Sequence, residues 1–178
     1  RRCQLQPSVA VLPDYLKHGL EVVFVGLNPS LKSAETGHYY AGPGNQFWPF
    51  LSEAGFTNRQ LRPDEDHEVL RFGVGLTDFV KRATRGVNDL KRSEFEIDLV
   101  RAKITKVRPR FVCFNGKSGF QATVGPCDYG LQAQEWSTTR LYVAPSTSGA
   151  LPMTRTDKLA HFHALKELVD ASASDSFR

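Results

Sequence analysis

The sequence predicts an α/β domain built on a short parallel sheet covered by helices. Three observations carry this. The segments "EVVFVG" (21–26), "RFVCFN" (110–115) and "RLYVAP" (140–145) are short apolar runs, rich in Val, Phe, Leu or Tyr, that close on Gly, Asn or Pro. None shows polar alternation, as expected of strands buried on both faces. Helical patterns fall between them, which is the order of a parallel layered domain.

The elements follow in order. After the first strand, "SLKSAE" opens one helix and "NQFWPFLSEAGF" another. "FGVGLTDFV" (72–80) is a weaker fourth strand. "SEFEIDLVRAKITKV" (93–107) opens on the capping-box pattern Ser93-x-x-Glu96, places Ile97, Val100, Ile104 and Val107 on one face, and is followed by Pro109. "TDKLAHFHALKELVDA" (156–171) lines up Leu159, Phe162, Leu165 and Val169. The tail "DASASDSFR" reads as frayed. No linker or repeat divides the chain, so a single domain over residues 1–178 is expected, with an ordered core over about 18–170 and a frayed tail over 171–178.

Composition narrows the class. The chain has 178 residues, 40% hydrophobic and 24% charged, in the range of ordinary globular domains. No run approaches the ~18 apolar residues of a membrane span, and the opening "RRCQLQ" lacks the apolar core of a signal peptide. Cys3, Cys113 and Cys127 are odd in number and widely spaced, which fits a reducing compartment and excludes a cysteine-built zinc or iron–sulfur site. Net charge is +4, and it is concentrated: residues 81–92 hold five basic residues and one acid, and 101–110 hold five and none. Such clusters suit phosphate backbones, or equally a solvated basic surface.

Several motifs are ruled out. "NGKSG" (115–119) contains Gly-Lys-Ser, but the phosphate-binding loop requires a Gly where Phe111 stands. There is no GxGxxG after a strand and no GxSxG. His18, His38, His67, His161 and His163 match no metal-ligand spacing.

In parallel sheets, ligands gather at the carboxyl ends of the strands. That rule selects Gly26–Ser30, Thr77-Asp78, Asn115–Lys117 and Pro145–Gly149. Asn28 invites two interpretations. Asn followed by Pro at a strand-to-helix junction is a good N-cap with Pro at the first helical position. Equally, the amide is a hydrogen-bonding group aimed into a site.

The stretch 26–61 resembles the first signature region of the mismatch-specific uracil-DNA and thymine-DNA glycosylases, members of the uracil-DNA glycosylase superfamily. The residues that carry the likeness are Gly26-Leu27-Asn28-Pro29, Gly37-His38-Tyr39-Tyr40 and Pro43-Gly44-Asn45-Gln46-Phe47-Trp48. It continues in order through "GVGLTDFVKRATRG" (73–86), "SEFE" (93–96), "RPRFVCFNGKSGF" (108–120) and "VAPSTSGA" (143–150), covering about residues 18 to 170.

The resemblance implies a three-layer α/β/α sandwich with a short central parallel sheet. It implies a monomeric, monofunctional glycosylase, without cofactor or metal, that acts on double-stranded DNA containing uracil or a mismatch. Such an enzyme leaves an abasic site and belongs in the cytoplasm or, in a eukaryote, the nucleus. Asn28 would position the attacking water. Leu27, Ser33, Tyr40 and Asn45 would bind the flipped base, with Tyr40 as stacking platform, backbone amides near Leu27 and Tyr40 facing the uracil oxygens, and Ser33 facing C5. Lys117, Ser146, Thr147, Ser148, Gly149, Ala150 and Leu151 would contact DNA. At the wedge position the family carries a bulky Leu or Arg, whereas here Ala150 stands there, followed by Leu151. Asp78 stands where the family has Asn or Lys, so it is expected to be a second catalytic or base-binding group. Two alternatives stay open: a non-catalytic mismatch or lesion binder on the same scaffold, and a nucleotide-binding α/β protein of another class.

Overall fold

The computed structural model describes residues 11–175. The N-terminal ten residues, Cys3 among them, and the last three lie outside it. The sheet has five strands: β1 (Val22–Gly26), β2 (Val74–Asp78), β3 (Phe111–Asn115), β4 (Gly130–Trp136) and β5 (Thr139–Ala144), in the order β2-β1-β3-β5-β4. Pairing is parallel from β2 to β5 and antiparallel between β5 and β4. The helices are α1 (Leu31–Thr36), α2 (Phe47–Glu53), α3 (Ile97–Val107), α4 (Lys117–Thr123) and α5 (Arg155–Asp175), with a 3₁₀ segment over Pro63–Phe72.

The unbroken apolar runs arise because each central strand feeds two cores. In β1, Val22 and Phe24 face one cluster, with Phe47, Phe50 and Phe162 from α2 and α5. Val23 and Val25 face the other, with Val100 and Ile104 of α3 and Phe120 of α4. β3 repeats the division, Phe111 and Cys113 to the first core and Val112 and Phe114 to the second. Period-two alternation is present, but both faces are apolar, so it is hidden in the sequence.

Three sequence expectations change. β4 was not anticipated: "GLQAQEW" is polar because this edge strand is exposed along most of its length and buries only Trp136. It joins β5 through a tight turn with Ser137 in the left-handed region (φ 56°). The capping box at Ser93 does not form, since Ser93 sits in a 3₁₀ turn (Arg92–Glu94) and α3 starts at Ile97 after Glu96, whose side chain makes no cap. Finally, α5 continues past 171 to Asp175 instead of fraying there.

Parallel pairing brings the strand ends together. Gly26 lies beside Asp78, and Asn115 beside Ala144. The segments after β1, β2, β3 and β5 therefore open on one edge.

Candidate active site

A cavity of about 640 Å³ occupies that edge. It gathers every sequence-predicted site residue except Gly149: Leu27, Asn28, Ser33, Tyr40, Asn45 and Asp78 inside, and Lys117, Ser146, Thr147, Ser148, Ala150 and Leu151 toward one rim. Its walls also include Asn115, which the strand-end rule selects, and the turn Thr84–Asn88 and Tyr129, which no sequence pattern marks.

Asn28 is not the helix cap. Ser30 caps α1, its Oγ accepting the Ser33 N–H at 3.1 Å. Asn28 Nδ2 instead donates to the Arg82 carbonyl (2.9 Å) and the Thr84 hydroxyl (2.8 Å). Both amide hydrogens are committed. Oδ1 has no protein partner among the described residues and is left as an acceptor, and Asn28 lines the cavity. An Asn held in this way can only accept.

Asp78 is 4% exposed, and its carboxyl makes no hydrogen bond with the described residues. Its carboxyl meets Tyr40 across Gly26. A β-carbon on Gly26 would collide with Asp78 Oδ1 and come within 3.3 Å of the Tyr40 hydroxyl, which explains the glycine. Burial pushes the Asp78 carboxyl up to about 7, with Lys81 pulling down and Asp14 pushing up. Its basic neighbours do not pair with it: Lys81 is bound to Asp14 (2.6 Å) and Arg82 to Glu94 (2.7 Å). Lys103 and Thr77 also donate to Asp14, at 2.6 and 2.7 Å. Burial raises Asp14, but these donors outweigh it and hold the carboxyl below its usual range.

Tyr40 is placed under constraint. Its φ of 51° is unusual for a bulky residue. Bonds on both sides enforce it: Ala41 N–H donates to Ser33 Oγ (3.1 Å) and Tyr39 N–H to Asp66 Oδ2 (3.0 Å). Phe47 stacks on one ring face at 3.9 Å between centroids, and Tyr40 lines the cavity. The Tyr40 hydroxyl is buried without a hydrogen-bond partner. Its neighbour Asn115 is engaged at both ends by Thr147, Nδ2 donating to Oγ1 and Oδ1 accepting from N–H, each at 3.0 Å.

Asp66 is the hidden anchor of this wall. It is fully buried and also accepts from Tyr15 Oη (3.0 Å), with His38 Nδ1 at 3.3 Å. Asp66→Ala is expected to cost about 3 kcal/mol or more, since it leaves a buried N–H and a hydroxyl unpaired. Urea unfolding checks this; a loss below about 1 kcal/mol would show that the carboxylate does not hold the wall.

The remaining predicted residues have local duties. Leu27 packs its side chain into the second core. Asn45 Oδ1 accepts the Phe47 N–H at the start of α2. Lys117 Nζ sits 4.4 Å over the Tyr129 ring. In the loop after β5, Ser146 Oγ accepts from Ser148 N–H and Ser148 Oγ from Ala150 N–H, which leaves each hydroxyl hydrogen free to donate outward. Lys158, 5% exposed, ties the loop to α5 by donating to the Ser148 carbonyl (2.9 Å). Among the described residues no cluster of three or more His, Cys, Asp or Glu is placed to hold a metal ion, and no helix is long and apolar enough to cross a membrane.

Residues 13–169 match the family model of the uracil DNA glycosylase superfamily. The fold is similar to the solution NMR structure of a protein from Methanosarcina acetivorans provisionally named a uracil DNA glycosylase. The TM-score is 0.60 at 23% identity, over 89% of this chain and 96% of that one. At that identity the likeness establishes a shared fold.

Proposed function

Because the chain belongs to the uracil DNA glycosylase superfamily, we propose that it hydrolyses the N-glycosidic bond of uracil flipped out of double-stranded DNA and leaves an abasic site. It falls in the mismatch-directed branch that its motifs resemble. The observation that carries this is Asn28: an amide with both hydrogens tied back and its oxygen at the cavity accepts a hydrogen bond from water and aims it.

The steps follow from the site. The flipped base enters the cavity and stacks on the Tyr40 face that Phe47 leaves free. The glycosidic bond stretches, with negative charge gathering on the base and positive charge on the sugar. Water held by Asn28 Oδ1 adds its oxygen to the sugar cation, and the proton it gives up passes to the departing uracil anion. Asn is not basic, so this suits a reaction in which departure runs ahead of attack. Asp78 faces the same space without a partner. Protonated, it donates to a base oxygen; ionised, it accepts an imide N–H or steadies the sugar cation. Ser33 turns its hydroxyl to Ala41, leaving a small surface at the base edge. A 5-methyl group there costs only about 1–3 kcal/mol in discrimination, so thymine mispaired with guanine is a secondary substrate.

The test is a panel of duplexes with one uracil or thymine opposite each base, with base release read as alkali-labile strand cleavage. Cleavage of uracil opposite guanine, with weaker cleavage of thymine, is expected. Tight binding of these duplexes without cleavage would replace this proposal with a lesion-binding role.

A further inference from the structure

Building on the glycosylase proposal, we infer that the turn Thr84–Asp89 is a second DNA-contacting element and that its Val87 is the apolar wedge entering the duplex as the base leaves the stack. A wedge must be large, apolar, exposed and at the cavity mouth. Of the five large apolar side chains exposed among the described residues, Val87, at 46%, is the one that lines the cavity. The loop after β5 offers less: Ala150 is exposed but small, and Leu151 is half-buried.

The turn is braced as a wedge must be. Thr84 N–H donates to the Pro29 carbonyl (3.3 Å) and its hydroxyl to the Gly86 carbonyl (2.9 Å). Asp89 Oδ2 accepts from Gly86 N–H (3.3 Å), and Arg82 donates to the Asp89 carbonyl (3.0 Å). A tip held this way loses little freedom on insertion.

Charge on the turn points to the same partner. Lys81 and Arg82 are spent on Asp14 and Glu94, whereas Arg85 makes no ion pair or hydrogen bond among the described residues. An unpaired guanidinium beside an apolar tip suits a phosphate flanking a base-sized gap. Thr84 also accepts the Asn28 amide, so the wedge and the water-positioning group share one rigid unit.

The experiment compares two substrates, uracil in a paired duplex and uracil in a bubble of unpaired bases, with 2-aminopurine beside it to report unstacking. Val87→Ala is expected to lower single-turnover release from the duplex at least about ten-fold more than from the bubble, and to reduce the 2-aminopurine signal. Val87→Leu restores most of the loss. Arg85→Ala lowers the salt slope of binding by about one. Equal losses on both substrates for Val87→Ala, or a duplex-specific loss found for Leu151→Ala instead, overturn the assignment. Failure of the wild-type protein to release uracil from either substrate would overturn the glycosylase proposal itself, and the wedge with it.

Discussion

Asn28→Ala is expected to slow base release about 10²–10³-fold, the scale of losing one preorganised group that acts on the reacting atoms. The side chain also has a structural duty, since its two hydrogen bonds pin the Arg82 carbonyl and the Thr84 hydroxyl to the end of β1. Removal should therefore lower stability by about 1–2 kcal/mol. The two effects separate by measurement. Single-turnover release under saturating enzyme reports the chemistry, and urea unfolding reports the brace. Thr84→Val makes the distinction sharper: it removes one of the two acceptors for the amide but leaves the water-facing oxygen, so an intermediate rate is expected. If Asn28→Ala releases uracil within about ten-fold of wild type, the amide is a brace and the water is held elsewhere.

Asp78→Asn is expected to stabilise the protein at alkaline pH. In the folded chain the carboxyl keeps its proton up to about 7, whereas an exposed Asp gives it up near 3.8. Between those values the folded state binds the extra proton, so stability falls as pH rises through the window and the full penalty stands above about 7. Asn cannot ionise and escapes it. The ceiling on the gain is about 4 kcal/mol at pH 8, vanishing below pH 4. Thermal unfolding of both proteins across pH 4–8 checks this, and a difference that does not change with pH would sink it. Activity should move the other way. Wild-type release should change across pH 7 as Asp78 titrates, and Asp78→Asn should lose that limb. Lys81→Met should shift the limb upward, because the cation pulling the carboxyl down is gone.

A carboxyl that weakens the fold above neutral pH, makes no hydrogen bond with the described residues and lines the cavity is a candidate for a ligand-directed group. Gly26 belongs to the same arrangement, since any side chain there would occupy the space of Asp78 and the Tyr40 hydroxyl.

The sequence made the central strands legible because burial on both faces writes a short β-branched and aromatic run closed by Gly, Asn or Pro. β4 stayed hidden for the opposite reason: its solvent faces carry Gln and Glu, and its neighbour in the sheet supplies the pairing. Helix stripes such as Phe162, Leu165 and Val169 were readable, while the start of α3 was not. Ser93 and Glu96 have the capping spacing, but Glu96 N–H bonds to the Phe79 carbonyl across the domain and fixes a later start.

The candidate site divides in the same way. Residues near each other in sequence, Leu27 through Asn45, share a motif, and the fold places them around one cavity. Thr84 and Asp66 act through partners 56 and 27 positions away, and no local pattern announces them. By itself the sequence determined the superfamily, the central strands and the residue types at their ends, because these rest on local composition and order. Only the tertiary structure decided that Ser30 and not Asn28 caps α1, that Asp78 is buried without a partner, and that Val87 stands at the mouth. Each of those depends on which groups the folded chain brings within hydrogen-bond reach and which it leaves in contact with the cavity.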